Sequence, residues 1–163
     1  MDKKYFNFKM CSACGGACCK RHAGSYAPED IKEPITAELI SELLRGGKHA
    51  IDWWEGDVLD RGNNDRNSFY LRPRHKGEKA VVGSWGGVCI NWTEQGCSLS
   101  EEEKPFQCKH LIPDYNFETK QANCDTDDAD KTSKKQMIIR WLPYQEQLSE
   151  AIDLFYNRSL AKI

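Results

Sequence analysis

The sequence predicts a small, irregular α+β fold in which short strands and loops are followed by a C-terminal helical segment. Three observations predict it. Apolar residues recur three and four apart in two stretches, Leu39, Ile40, Leu43 and Leu44, then Leu148, Ile152, Phe155, Tyr156 and Leu160, as one face of a helix requires. Between them lie only brief runs of β-forming residues, cut short by glycine and proline. Cysteine is abundant and unevenly spaced, eight in 163 residues with four inside a stretch of nine. Length and composition fit one domain over residues 1–163, with the C-terminal helices, about 133–163, packed on the rest.

Taken in order, Pro28-Glu-Asp-Ile31 reads as the first turn of a helix, with proline early and acids at the positive end of the dipole. A clearer helix starts at Thr36 as N-cap, runs through Leu44 and stops at Gly46-Gly47. Trp53-Trp54 precede a polar loop, Arg61 to Asn67. Phe69–Leu71, Ala80–Val82 and Val88–Trp92 read as strands. Met137, Ile138 and Trp141 begin a helix that Pro143 breaks, and the stripe from Leu148 to Leu160 packs on the core.

Formal net charge is −2, with 39% hydrophobic and 29% charged residues, so no global field draws the chain to nucleic acid or an anionic surface. The one basic run, Arg72-Pro-Arg74-His75-Lys76-Gly-Glu-Lys79, follows Phe69 and Tyr70 and reads as a solvated loop rather than a phosphate-binding patch. The acidic run Asp125 to Asp130 lacks the glycine and closing glutamate of a calcium loop and reads as a helix N-terminus. No segment approaches the roughly 18 apolar residues of a membrane span. The first ten residues are basic without an apolar stretch behind them, unlike a secretory signal. The expectation is a cytoplasmic protein without a membrane partner, in a compartment where structural disulfides are rare.

The cysteines are therefore expected to be thiolates. Cys11-x-x-Cys14-Gly is a knuckle in which two thiolates on a tight turn grip one metal, and the N–H groups of Gly15 and Gly16 can face the sulfurs. Cys18 and Cys19 are direct neighbours, which disulfide geometry disfavours as a bridge. Cys89, Cys97, Cys108 and Cys124 complete the set, and Lys9, Lys20, Arg21, Lys104 and Lys109 lie close enough in sequence to offset thiolate charge. One or two of the later cysteines would be unremarkable as small buried hydrophobes, but all eight together point to metal. His22 and His110 are alternative ligands; His49 and His75 are further candidate ligands or bases. A Cys108–His22 nucleophilic pair has the right residue types but nothing in the sequence brings them together.

Cys11, Cys14, Cys18-Cys19, then Cys89, Gly96-Cys97 and Lys104-Pro105-x-x-Cys108, with the Pro-Glu-Asp-Ile run, resemble the CxxCxxCC zinc- or iron-chelating family, also called the YkgJ-type cysteine-cluster family. The resemblance covers roughly residues 11–125. Three residues separate Cys14 from Cys18 where the common form has two, and Lys104 stands where arginine is usual. What the resemblance implies is metal binding, with zinc and an iron–sulfur cluster both proposed. Larger relatives, the flagellin lysine methylases, pair such a motif with methyl transfer; this chain is short and shows no dinucleotide-type glycine loop, so that activity is not carried over.

All-thiolate ligation suits either metal. Only one C-x-x-C is present, and seven residues separate Cys89 from Cys97 and ten separate Cys97 from Cys108, an irregularity commoner for clusters than for zinc ribbons. The expected cofactor is thus an iron–sulfur cluster of the 4Fe–4S kind, or else Zn. Trp85, Trp92, Phe106 and Phe117 are placed to screen it or simply to pack. The expected function is a metal-binding protein with a protein or redox partner. The alternatives are a zinc-stabilised interaction module, or a thiol-redox or protein-modifying methyl-transfer enzyme.

Overall fold

The computed structural model describes residues 23–59, 67–84, 86–94, 96–100, 102–111, 115–122 and 132–161. It has both helices and small antiparallel sheets, as an α+β fold should. The Pro28–Asp30 segment is a single 3-10 turn rather than the start of a longer helix. The Asp30 carboxylate accepts from the N–H of Ala27 at 2.9 Å and of Phe106 at 2.7 Å, so it ties this turn to a distant segment instead of capping a helix.

Helix α1, Ala37–Arg45, forms as its sequence dictates. The Thr36 hydroxyl accepts from Leu39 N–H at 3.1 Å, and Ala37, Ile40, Ser41 and Leu44 are the buried face. Gly47 follows at φ +87°, a conformation that lets the chain turn sharply away.

Strand β1, His49–Trp54, pairs antiparallel with β2, Ser68–Pro73, in the register Ala50↔Arg72, Ile51↔Leu71, Asp52↔Tyr70, Trp53↔Phe69. The sequence reading anticipated β2 and missed β1, because Asp52 interrupts the apolar run. Ala80–Val82 adds a parallel rung rather than a full strand: Ile51 N–H donates to Ala80 O at 2.8 Å, and Val82 N–H to Ile51 O at 3.1 Å.

At the C-terminal end, α3, Lys134–Arg140, is capped by Ser133, whose hydroxyl accepts from Gln136 N–H at 3.3 Å. Pro143 sits in a 3-10 turn, Leu142–Tyr144, that separates α3 from α4, Gln145–Ala161. Helix α4 packs chiefly on α1 and also on β2. The Gln145 amide clamps the backbone of Phe69, accepting its N–H and donating to its carbonyl, both at 2.8 Å. Of the expected stripe, Leu148 is fully buried and Ile152 and Phe155 are partly buried against the core, but Tyr156 is 47% exposed and faces outward. The side chain of Leu160 lies outside the described ones.

The contiguous apolar core joins Tyr26, Ile31, Ile35, α1, the β1–β2 hairpin, Ile138, Trp141, Leu148 and Ala151. None of the described side chains from residues 82–122 belongs to it. That segment holds two very short hairpins, β3 (Trp92–Thr93) with β4 (Gly96–Cys97) and β5 (Tyr115–Asn116) with β6 (Gln121–Ala122), and one helical turn, α2 (Phe106–Lys109). Among the described residues, no helix is long and apolar enough to cross a membrane.

Candidate metal centre

The β1–β2 pair places two charged side chains in the interior. Arg72 and Asp52 are both 0% exposed and sit diagonally across the hairpin, with Arg72 Nε on Asp52 Oδ2 at 2.9 Å. Arg72 Nη1 reaches Glu78 Oε1 at 2.8 Å and Pro73 O at 3.0 Å, and Nη2 reaches Ser84 O at 3.4 Å. Glu78 accepts the backbone N–H of His75 at 3.1 Å and meets His75 Nδ1 at 3.0 Å. Burial works against the Glu78 charge, but Arg72 and His75 outweigh it and hold the carboxyl at about 2.

His75 Nε2 in turn accepts the N–H of Ala23 at 3.1 Å. The ring therefore carries its proton on Nδ1, toward Glu78, and stays neutral: burial and then Arg72 push its pKa down against the pull of Glu78 and Asp52. Gly87, at φ +151°, lies against this ring, where a Cβ would come within 2.8 Å of Cγ. The result is a buried chain of contacts, Asp52–Arg72–Glu78–His75–Ala23. It corrects the reading of the basic run as a solvated loop. Arg72 and His75 are internal, and Arg74 caps α1 by donating to Leu44 O at 2.6 Å and to His49 O at 3.1 Å. Only Lys76 and Lys79 of its cations are exposed. The available signal was a charge at an inward position of each strand, flanked by apolar residues.

Three of the predicted ligands fall in the described residues, and they lie near one another. Cys89 is buried, and Cys97 and Cys108 are half-buried; none is disulfide-bonded to another. Cys89 bridges to His75 through the backbone, with Lys76 N–H on Val88 O at 2.7 Å and Ile90 N–H on Arg74 O at 2.8 Å. Burial pushes its thiol pKa up, and Cys97 adds to this; hydrogen bonds from the backbone N–H and side chain of Asn91 oppose it. The β3–β4 hairpin pairs Cys97 with Trp92, whose N–H donates to Cys89 O at 3.0 Å.

Cys108 rides on α2, which Gln107 fastens. The buried Gln107 side chain accepts from Ser25 N–H at 2.7 Å and donates to Thr132 O at 3.0 Å. Its neighbour Gly24 is in contact with Cys108, and a Cβ there would overlap Sγ. Two residues on, the buried Tyr26 phenol is acted on by all three sulfurs. Burial first, then Cys108 and Cys89, with Asp30 and Cys97 behind, push its pKa well above the ordinary tyrosine value.

Cys11, Cys14, Cys18, Cys19, Cys124, His22 and Trp85 lie outside the described residues, as does the acidic run 125–130. Among the described residues, no group of three or more His, Cys, Asp or Glu is close enough to hold a metal ion. The three thiols share a neighbourhood, not a common ligand point. The histidines are otherwise engaged: His110 Nδ1 pairs with Phe106 O at 2.8 Å and its ring stacks on Phe106, while His49 stacks on Tyr26 with centroids 5.1 Å apart. Phe106 packs under Arg140, Trp92 under Lys76, and Phe117 is 47% exposed.

Tyr26, Gly24, Asn91 and Gln107 order this region and were not singled out from the sequence. Gln107 and Gly24 carried a faint signal, since each adjoins a cysteine motif. No family model matches the chain, and neither does any curated protein or solved structure.

Proposed function

We propose that the chain is a cysteine-cluster protein of the CxxCxxCC kind that holds an iron–sulfur cluster, or else zinc, through thiolates. Cys89, Cys97 and Cys108 would supply part of the donor set and Cys11, Cys14, Cys18, Cys19 and Cys124 the remainder. The observation that carries this is that two sequence-distant thiols come to the 23–24 segment, Cys108 Sγ against Gly24 and Cys89 through its bridge to His75, which holds Ala23 N–H. Cys19 precedes Ala23 by four residues, and an extended chain covers at most about 14 Å in that distance. The described donors fit a sulfur-bound centre in their chemistry. Cys89 already receives hydrogen bonds from the Asn91 backbone and side chain, the kind of donor that stabilises a metal-bound thiolate.

A second support is energetic. Residues 82–122 add no described side chain to the apolar core, and two-stranded hairpins as short as β3–β4 and β5–β6 are marginal alone. Metal binding would stabilise this segment directly, because coordination energy becomes folding energy. A bound cluster would supply one-electron chemistry and zinc a structural crosslink. The irregular spacing favours the cluster, and a cluster implies a redox partner in a reducing, cytoplasmic setting.

The test is anaerobic purification of the full chain with iron, sulfide and zinc analysis and a visible spectrum. Brown protein absorbing near ~400 nm with matching iron and sulfide supports the cluster, and colourless protein with stoichiometric zinc supports the zinc form. Metal-free protein with eight titratable thiols overturns the proposal.

A further inference from the structure

We propose that Gln107 is a positioning residue of the metal centre: its side-chain amide is a two-ended clamp that sets where Cys108 presents its sulfur. The inference rests on the metal-binding reading above and adds to it a residue that is not itself a ligand. Helix α2 is a single turn, Phe106–Lys109, and its N-cap, Pro105, supplies no side-chain cap. So short a helix has no stability of its own, since isolated helices are marginal below roughly 12–15 residues. Bonds to other parts of the chain hold it. Phe106 N–H donates to Asp30 Oδ2 at 2.7 Å. Gln107 N–H donates to Ser25 O at 3.3 Å, and Ser25 N–H returns a bond to Gln107 Oε1 at 2.7 Å. The other end of the amide, Nε2, donates to Thr132 O at 3.0 Å.

This pairing dictates the neighbouring contact. With residue 107 joined to residue 25 by two bonds, Cys108 comes to lie on Gly24, so close that a Cβ on residue 24 would overlap Sγ. One residue earlier, Ala23 N–H is held by His75 Nε2 at 3.1 Å, and His75 bridges to Cys89. Residues 23–25 are thus a common reference for two of the thiols, and Gln107 fixes Cys108 against it. The Gln107 residue is 5% exposed, and Ser25 and Thr132 are 0% exposed, a dry setting in which water is a poor substitute for either bond. The clamp needs an amide, which accepts at one end and donates at the other. Methionine, of similar length, does neither, and a glutamate carboxylate can serve Ser25 but not Thr132. A ligand so held cannot swing off the metal, and partners that orient ligands typically contribute about 10–100-fold to metal affinity.

The test compares anaerobically purified full-length wild type, Gln107→Met, Gln107→Glu and Leu148→Ala, the last a core truncation that lowers stability from α4 rather than from a cysteine segment. Each metal-loaded protein is challenged with excess chelator and followed by visible absorption, with cobalt substituted if the metal is zinc. Gln107→Met should release metal about 10-fold faster or more, with a shifted sulfur-to-metal absorption. Gln107→Glu should fall between it and wild type, and Leu148→Ala should keep the wild-type release rate and spectrum. In a Cys108→Ser background Gln107→Met should add little further loss, because the side chain it orients is gone. Should Gln107→Met fail to fold, Gln107→Glu carries the comparison. Gln107 variants that match wild type, an equal acceleration in Leu148→Ala, or full additivity with Cys108→Ser each overturn the inference while leaving the centre intact. Wild type that binds no metal overturns both.

Discussion

Replacing Arg72 with methionine removes a guanidinium that has no access to water and joins two carboxylates. Asp52 is 0% exposed, and its counter-charge at 2.9 Å disappears. Breaking a buried pair by deleting one partner costs about 3–5 kcal/mol, because the remaining charge is stranded. The Pro73 and Ser84 carbonyls lose a donor as well, at roughly 1 kcal/mol each where nothing replaces it; these losses overlap with the first. A domain of this kind has only about 5–15 kcal/mol in total, so Arg72→Met should lose about a fifth of its stability or more.

The same change acts on Glu78. With its carboxyl held at about 2 against an ordinary 4.5, Glu78 contributes stability present above pH 4.5 and lost as pH falls toward 2. The shift corresponds to up to about 3 kcal/mol. That acid-side window should shrink in the variant. Urea unfolding of wild type, Arg72→Met, Asp52→Asn and the double variant checks the reasoning, with the double losing clearly less than the sum of the singles. A loss under about 1 kcal/mol for Arg72→Met, or simple additivity, would show that the interior ion pairs do not hold this fold.

Four further outcomes are expected. His49, its pKa pushed down to about 4 by burial and by Arg74 and Lys48, is neutral when folded, so stability falls as pH drops from 6.5 toward 4 by up to about 3 kcal/mol. Urea midpoints at pH 4.5 and 7 should converge in His49→Phe, which keeps the stack on Tyr26. Lys134, pushed down to about 8 by burial at the first turn of α3, penalises the folded state below pH 8 and releases the penalty between 8 and 10.5. Lys134→Met should therefore raise the melting temperature at pH 7, with a gain of at most about 3 kcal/mol. Gly24→Ala sets a Cβ into Cys108 Sγ, an overpacking of about 1–3 kcal/mol, and metal analysis should show lower occupancy. Cys108→Ser and Cys89→Ser should each lower both metal content and melting temperature.

The parts of the fold legible in the sequence are those governed by one local rule. Thr36 and Gly46-Gly47 bracket α1, Pro143 marks the end of the segment that forms α3, and Leu148 marks the buried side of α4. Strand β1 was hidden because Asp52 breaks the apolar pattern, and its buried charge makes sense only beside Arg72 from another strand. Arg72, Arg74 and His75 read as a surface run for the same reason: Arg72 is satisfied by Asp52 and His75 by the Ala23 N–H, both distant in sequence, and Arg74 by backbone carbonyls, which composition does not encode. Cys89, Cys97 and Cys108 were recognisable by type. Their common neighbour Tyr26 was not, since nothing in its local sequence distinguishes it from any core aromatic.

An interior built on Asp52, Arg72, Glu78 and His75 needs a reason, because well-packed apolar residues in such places commonly give equal or greater stability. Directionality supplies one. An apolar side chain at position 75 would fill the same space yet leave the Ala23 N–H without an acceptor, whereas His75 Nε2 fixes that backbone group at 3.1 Å. His75 can accept there only while its proton sits on Nδ1, and Glu78 sets that tautomer at 3.0 Å. Glu78 stays charged in its buried position because Arg72 faces it, and Arg72 is tolerated there because Asp52 balances it. Each member thus makes the next one possible. The chain of contacts ends on the residue that leads out of the first cysteine cluster, beside the backbone bridge that holds Cys89. Stability alone would not require that endpoint, but holding residue 23 in place against the segment that carries Cys89 would.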